Sequence, residues 1–505
     1  MLRFRINVYS NSFKVTVMAY QDREIIKTFS KDLNVYEKVY NPKTRKNQWM
    51  IDFSYSTYDP VTTTYGFHGN MYASFINFLN HYNIHKDDIE IFNHAPSEGD
   101  KIYLVPADSF KFKSHQPDIV DFILKNSISV IPLQTGQGKT VVGLASIYKN
   151  GIRTAIIMDG GLVTVWIEDA KMVFGDNFED LNVIRGSKPF MVLIDNAKNG
   201  VMPKSLVLFT VKTMGDYLAD YEKNGVSSYG CNPEDLYALL GIGYRISDEA
   251  HANLHFQFRH DILTNVKKST YLSATIESNR ADKNRVYEII FPKLNRYTGL
   301  EWKCYIAVNV IFYKMKSLSN FKFIGGRGYS HVIFEQSIMK DKNKLNNYLE
   351  MINSLTISRF INKELPNQKL LIYASTTDMC DAIANHLGKR LPVNFRINSF
   401  TGTSEDDILP NSDIIVTTPG KCGRGTNIKK LTTVITTVAI DSTETNLQSV
   451  GRLRELHEVW PEIKPEYIIL TCLDIKKHRD YHNNRIVILR PKVDRINIYR
   501  SNFII

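Results

Sequence analysis

Cysteine is scarce: five in 505 residues, at positions 231, 304, 380, 422 and 472, an odd number without any CxxC spacing. That argues against a disulfide framework and against a zinc site, and fits a reducing compartment. Long apolar runs are missing as well, none approaching the ~20 residues that span a bilayer. The first residues alternate Leu2, Phe4, Ile6 and Val8 with Arg3, Arg5 and Asn7, which is a strand pattern and not the apolar core of a signal peptide. The expectation is a cytoplasmic protein with no membrane partner. Repeats of ~20 to 50 residues and low-complexity tracts are also lacking, which sets aside solenoids and disordered arrays.

What is present is the balance of a folded chain: 43% hydrophobic and 23% charged residues, with 27 Gly and 17 Pro. The length has room for two to four domains of ~100 to 200 residues. Lys and Arg number 63 against 52 Asp and Glu, a net charge of +11, which favours a polyanionic partner such as nucleic acid. Part of the excess lies between Lys476 and Arg500, where Lys477, Arg479, Arg485, Arg490, Lys492 and Arg495 face only Asp480 and Asp494.

Alternation at Leu2–Val8 and at Phe13, Val15 and Val17 predicts paired strands, and Met71, Phe75, Phe78, Leu79 and Tyr82 fall at helical spacing. The first hundred residues read as a small α+β unit that ends in the polar stretch Asn93–Lys101. From about residue 106, short apolar runs alternate with helical stretches: 127–133, 154–158, 206–210, 243–247 and 269–272. Buried strands joined by crossover helices give this rhythm, so a parallel α/β sheet is predicted. A second series follows a change of character near Asn295: 369–373, 394–397, 413–417, 431–436 and 467–471. The polar segment Tyr221–Pro233 reads as a surface loop.

Gln134-Thr135-Gly136-Gln137-Gly138-Lys139-Thr140 follows a predicted strand and opens a predicted helix. In that setting glycines let backbone amides approach phosphate oxygens at a helix N-terminus, Lys139 reaches the β and γ phosphates, and the Thr140 hydroxyl binds Mg²⁺. The loop departs from the common GxxxxGK pattern, since Leu133 stands where the first glycine would be. Further on, Ile246-Ser247-Asp248-Glu249-Ala250-His251 ends another apolar run. Adjacent carboxylates at a strand's C-terminal end suit Mg²⁺ at Asp248 and polarisation of the attacking water at Glu249. Together the two segments predict an ATPase site using ATP and Mg²⁺.

Gly136–Thr140, Asp248-Glu249-Ala250-His251, Ser273-Ala274-Thr275 and Gln448-Ser449-Val450-Gly451-Arg452 occur in the order of motifs I, II, III and VI of superfamily 2 helicases, the second being a DEAH box. Residues 158–166 and 210–213 stand where motifs Ia and Ib would be, and 371–377 and 417–427 resemble motifs IV and V. The resemblance covers roughly residues 106 to 475. It implies an α/β chain of two tandem RecA-like parallel-sheet lobes with ATP between them. It further implies that Gln116 reads adenine beside Phe110 and Phe112, that Thr135, Gly136, Gln137, Gly138, Lys139 and Thr140 hold phosphates, and that Ser273 and Thr275 couple hydrolysis to movement. Gln448 would contact nucleotide or water, and Arg452 would serve as arginine finger. The family pattern is QxxGRxxR, whereas the next arginine here, Arg454, comes one residue early, so either Arg452 or Arg454 is the finger. In motif V, Gly425 aligns with the family glycine and is counted among the nucleotide-binding residues; Asn427 replaces a frequent Asp. Motifs Ia, Ib and V are expected to offer amides and hydroxyls to a nucleic-acid backbone.

Val39-Tyr40-Asn41-Pro42, Trp49, Tyr65-Gly66-Phe67-His68-Gly69 and Ile89-Glu90-Ile91 resemble the accessory domain of UvsW-type phage branch-migration helicases. Trp49, Tyr65 and Phe67 read alternatively as core aromatics. The organisation expected is an accessory DNA-binding domain at 1–105, lobe 1 at 106–295, and lobe 2 with a basic C-terminal segment at 296–505. The resemblance implies ATP-driven remodelling of branched, double- and single-stranded DNA in replication, recombination or repair, in a host cytoplasm if a phage encodes the chain, with replication or recombination proteins as possible partners. Lys43-Thr44-Arg45-Lys46 and the cluster Lys476–Arg500 are candidates to grip duplex phosphates. An RNA helicase and an ATP-switched nucleic-acid-binding module remain as alternatives. A nuclease is disfavoured, since no further carboxylate cluster stands out.

Overall fold

Apolar β-branched runs bounded by glycine and polar residues build three main sheets in this chain. The structure, a computed structural model, describes residues 2–505 apart from 42–45, 275, 277, 279–280, 300–301, 327, 403, 405–407 and 423–427, together with the side chains of all but 37–41 and 46–47 of the remainder. It divides into two compact units, Met1–Leu300 and Glu301–Ile505.

The first unit begins with a five-stranded mixed sheet in the order Ser56–Asp59, Thr64–His68, Ser12–Val17, Phe4–Val8, Ile89–Asn93. The predicted pairing of the first two strands is antiparallel, with Phe4 opposite Val17, Ile6 opposite Val15 and Val8 opposite Phe13. This register puts one apolar face inward. The helices Arg23–Lys31 and Tyr72–His81 cover that face with Ile26, Phe29, Phe75 and Leu79. A separate antiparallel hairpin pairs Asn34–Asn41 with Lys46–Ser54.

Next comes a six-stranded sheet, parallel throughout, in the order Leu181–Ile184, Leu206–Thr210, Thr154–Met158, Tyr244–Ser247, Lys268–Ser273, Ile128–Pro132. Helices cover both faces, so its central strands are buried from end to end. The mixed and parallel sheets share one apolar core: Phe4, Ile6, Phe13 and Phe67 cluster with Phe258, Ile262, Tyr271 and Ile290. Polar ties reinforce the contact, with Asn11 Nδ2 donating to Ser269 Oγ at 3.0 Å and Asn70 Nδ2 to the Ile289 carbonyl at 3.0 Å.

The second unit holds a seven-stranded parallel sheet in the order Ile397–Phe400, Ile414–Thr417, Lys369–Tyr373, Leu431–Thr436, Glu466–Cys472, Ala307–Lys314, Arg495–Ile504. The α/β class expected from the sequence is therefore the one observed: a small mixed-sheet unit, then two parallel sheets in tandem.

Several local expectations are corrected. The strand placed at 394–397 lies at Ile397–Phe400, because Pro392 and the turn after it delay pairing. The loop placed at 221–233 is shorter: the helix Val211–Asn224 continues to a left-handed Gly225, and Pro233 already opens the next helix. Within Lys476–Arg500, the helix Lys476–Leu489 buries Arg485, whose Nη2 donates to the Val438 carbonyl at 3.1 Å. That guanidinium is spent inside the fold and cannot serve a phosphate. Tyr65 and Phe67 are core aromatics, whereas Trp49 is 65% exposed.

Candidate functional site

The C-terminal ends of the first parallel sheet collect the residues singled out from motifs I to III, as expected where ligands bind in open parallel sheets. Ile128–Pro132 leads into the glycine loop, which opens the helix Lys139–Asn150. Leu133, in place of the family glycine, is buried in the lobe core and its amide donates to the Ser273 carbonyl at 2.9 Å. The position is a core anchor, which explains a large apolar residue there. Gly138 has φ +83°, and a Cβ on it would stand 2.4 Å from Gln116 Nε2. Both facts require glycine. The first amides of the following helix have no carbonyl four residues back, so they are available to an anion at the positive end of the helix dipole.

Across the loop, Lys139 Nζ donates to Glu249 Oε1 at 2.5 Å, both side chains being largely shielded from solvent. Glu249 takes the left-handed conformation at φ 47°, a position in which a non-glycine residue is strained and which clusters at functional sites. Asp248, immediately before it, is buried at the end of Tyr244–Ser247. Its Oδ1 accepts from the Glu249 amide at 2.8 Å and its Oδ2 from Trp166 Nε1 at 2.9 Å. Burial pushes the Asp248 carboxyl above its ordinary range and the Glu249 charge adds to this, while Lys139 and the Trp166 N–H oppose it. Thr140 hydrogen-bonds the Asp169 carboxylate, which is itself raised chiefly by burial.

Motifs II and III are joined by His251: its Nδ1 lies 2.8 Å from Ser273 Oγ and 3.4 Å from Glu249 Oε2. A continuous polar chain thus runs from Lys139 through Glu249 and His251 to Ser273. Thr275 lies outside the described residues, as does Gly425 of motif V.

Gln116 is 2% exposed and holds the loop itself. Its Oε1 accepts from the Lys113 amide at 2.9 Å and its Nε2 donates to the Gln137 carbonyl at 3.3 Å, where His115 Nε2 also binds at 3.0 Å. Both ends of the amide are engaged with the backbone, one at Lys113 and the other on the glycine loop at Gln137. In motif Ib, the Thr210 hydroxyl caps its helix by accepting from the Thr213 amide at 3.2 Å, and Thr213 Oγ1 accepts from the Gly186 amide at 2.8 Å. In motif IV, Glu335 occupies the amides of Ser375 and Thr376 at 2.9 and 3.0 Å. These hydroxyls and amides are committed within the fold.

Gln448, Arg452 and Arg454 belong to the second unit. Gln448 lies on the helix Thr443–Val450, with Nε2 3.4 Å from Glu444 Oε1. Arg452 is buried just beyond that helix. Arg454 donates to the Gly451 carbonyl, and burial together with the neighbouring Arg452 pulls its pKa down to about 10. Glu455 pairs with Lys303 at 3.2 Å.

Trp166 and Asp169 were not among the residues singled out from sequence. They sit one turn apart on the helix Val163–Phe174, one bonded to Asp248 and the other to Thr140. An aromatic and an acid at that spacing look like ordinary helix composition, and only the packed structure discloses their partners.

Among the described residues no three or more His, Cys, Asp or Glu side chains group as a metal site. No described helix is long and apolar enough to cross a membrane. No protein-family model and no curated relative matches the chain. Among solved structures, S. cerevisiae Dbp5 bound to RNA and ADP BeF3 is similar at 15% identity and TM-score 0.49, covering 77% of this chain and 90% of that one. T4 UvsW is similar at 14% identity and TM-score 0.37, covering 99% of this chain and 100% of that one.

Proposed function

We propose that this chain is an ATP-driven superfamily 2 DNA helicase that translocates on branched DNA and unwinds or branch-migrates it. The observation that carries the reading is the ion pair between Lys139 and Glu249 at 2.5 Å, spanning the glycine loop and the Asp-Glu-Ala-His strand end. Four ordered motifs in the sequence support it. The resemblance of residues 39–91 to UvsW-type accessory domains supports branched DNA as the substrate, together with the net charge of +11.

The residues present fit a magnesium nucleotide. Amides at the start of Lys139–Asn150 and the Lys139 ammonium would hold the phosphates, and Thr140 and Asp248 would face Mg²⁺. ATP, when bound, supplies the phosphoanhydride whose cleavage releases free energy. With ATP bound, Lys139 would turn from Glu249 toward the phosphates, leaving the carboxylate to orient a water and accept its proton. His251 passes the change at Glu249 to Ser273. The finger role falls to Arg452 or Arg454, which follow closely on the helix Thr443–Val450.

Glu249→Gln is expected to keep ATP binding and abolish turnover, and Lys139→Ala to lose both. A Glu249→Gln enzyme that hydrolyses ATP at the wild-type rate would falsify the site assignment. Strand displacement on a four-way junction, a fork, a tailed duplex and an RNA duplex separates the DNA reading from an RNA helicase, and from a clamp that separates no strands.

A further inference from the structure

The helix Lys476–Leu489 carries a buried arginine whose partners all lie in one short segment. Arg485 is 2% exposed, and its Nη2 donates to the carbonyls of Val438 at 3.1 Å and Ile440 at 3.3 Å. Its Nε is buried without a partner among the described residues. Both acceptors are neutral, so a full cation is bonded in the interior only to partial charges. Burial is accordingly the largest influence on its pKa and pulls it down, against Tyr467 and Asp441.

Such a group is costly to the fold, since exchanging a buried charge for an apolar side chain of similar volume is often neutral or stabilising. The two carbonyls do not depend on it. The Val438 carbonyl also accepts from Thr436 Oγ1 at 3.5 Å, and the Ile440 carbonyl from Asn446 Nδ2 at 3.2 Å. What the guanidinium adds is position. Residues 438–440 connect the strand Leu431–Thr436 to the helix Thr443–Val450, which carries Gln448 and leads to Arg452 and Arg454. The next residue, Asp441, accepts from Asn484 Nδ2 at 2.8 Å. Two consecutive side chains of one helix, Asn484 and Arg485, therefore clamp the connection that aims the motif VI helix. Apolar packing backs the clamp, with Val438, Leu447 and Leu489 in one cluster.

We infer that Arg485 is a positioning residue for the proposed hydrolysis: it fixes the connection 438–441 and, through it, the motif VI helix and the arginines that follow. The inference rests on the ATPase reading above and adds to it a residue whose own guanidinium is enclosed within the second unit. It accounts for a buried cation that stability alone does not call for.

The test is Arg485→Met in the full chain, with ATP turnover, binding of a fluorescent ATP analogue and thermal melting measured together. Methionine fills the volume without the charge, so melting is expected at or above the wild-type temperature. The kcat is expected to fall about tenfold while KM and analogue affinity stay within about twofold, the split that marks an interaction felt in the transition state. Arg485→Lys, which keeps a cation and its donors, is expected to recover part of the kcat. Arg485→Met turning over ATP like wild type would overturn the inference. So would kcat and melting temperature falling together in both variants, which would make Arg485 a structural tie. Failure of the ATPase reading itself is read separately, from a Glu249→Gln enzyme with wild-type turnover.

Discussion

Trp166 Nε1 donates to Asp248 Oδ2 at 2.9 Å, and the same indole leaves no room for a Cβ on Gly143, which would meet it at 2.7 Å. One buried ring therefore sets the distance between the phosphate-loop helix and the carboxylate proposed for Mg²⁺. Hydrogen bonds to charged groups contribute about 1.5–3 kcal/mol. Trp166→Phe, which fills the space without the N–H, is expected to raise the Mg²⁺ concentration for half-maximal ATPase at least tenfold while melting near the wild-type temperature. An unchanged Mg²⁺ titration would remove Trp166 from the site.

Gly138→Ala places a methyl group against Gln116 and forces a left-handed backbone on alanine. Nucleotide affinity is expected to fall at least tenfold, measured with a fluorescent ATP analogue. Gln116→Ala relieves the collision but not the backbone conformation, so the double variant is expected to recover only part of the affinity.

Asp261 is fully buried and accepts from Arg245 Nη2, Gln257 Nε2 and the Tyr271 hydroxyl on Oδ1, while its Oδ2 lies 3.2 Å from His68 Nε2. Burial alone would raise this carboxyl, but Arg245, His68 and His260 outweigh it and bring the pKa down to about 2. A depressed folded value means that the stabilisation is complete above the unfolded value near ~4 and is lost as pH falls toward about 2. The loss is about 2–3 kcal/mol, seen as a falling urea midpoint. Asp261→Asn is expected to lose about 3–5 kcal/mol at neutral pH by leaving Arg245 buried without its counter-ion, and to show a flatter acid profile. A slope below pH 4 that is equal in the two proteins would count against this account.

Removing residues 1–105 uncovers Phe258, Ile262, Tyr271 and Ile290. The remaining chain is expected to lose cooperative melting and near-ultraviolet circular dichroism. A shortened chain that melts sharply would mean that the first sheet is an appendage.

The sequence was most readable where strands are buried on both faces. Thr154–Met158, Leu206–Thr210, Lys369–Tyr373 and Leu431–Thr436 are continuous apolar or β-branched runs, and their observed bounds are those of the runs. Edge strands were harder: Leu181–Ile184 is half exposed, and Arg495–Ile504 begins inside what reads as a charge cluster. At the candidate site, Lys139, Thr140, Asp248 and Glu249 stand out in the sequence because the glycine loop and the paired acids are local patterns, each visible without a distant partner. Trp166, Asp169 and the loop-holding bonds of Gln116 are not, since each depends on a partner far along the chain. Trp49 could not be separated from core aromatics by spacing, because alternation in a strand is the same whether the ribbon is covered or bare.

His68 comes from the mixed sheet, and Asp261 lies on the helix that packs beneath the Asp-Glu-Ala-His segment. Since they meet inside a common interior, the amino-terminal region has no tether to pivot on. Lengthening the stretch between residues 94 and 105 would therefore add no play between the mixed sheet and the body that carries the glycine loop.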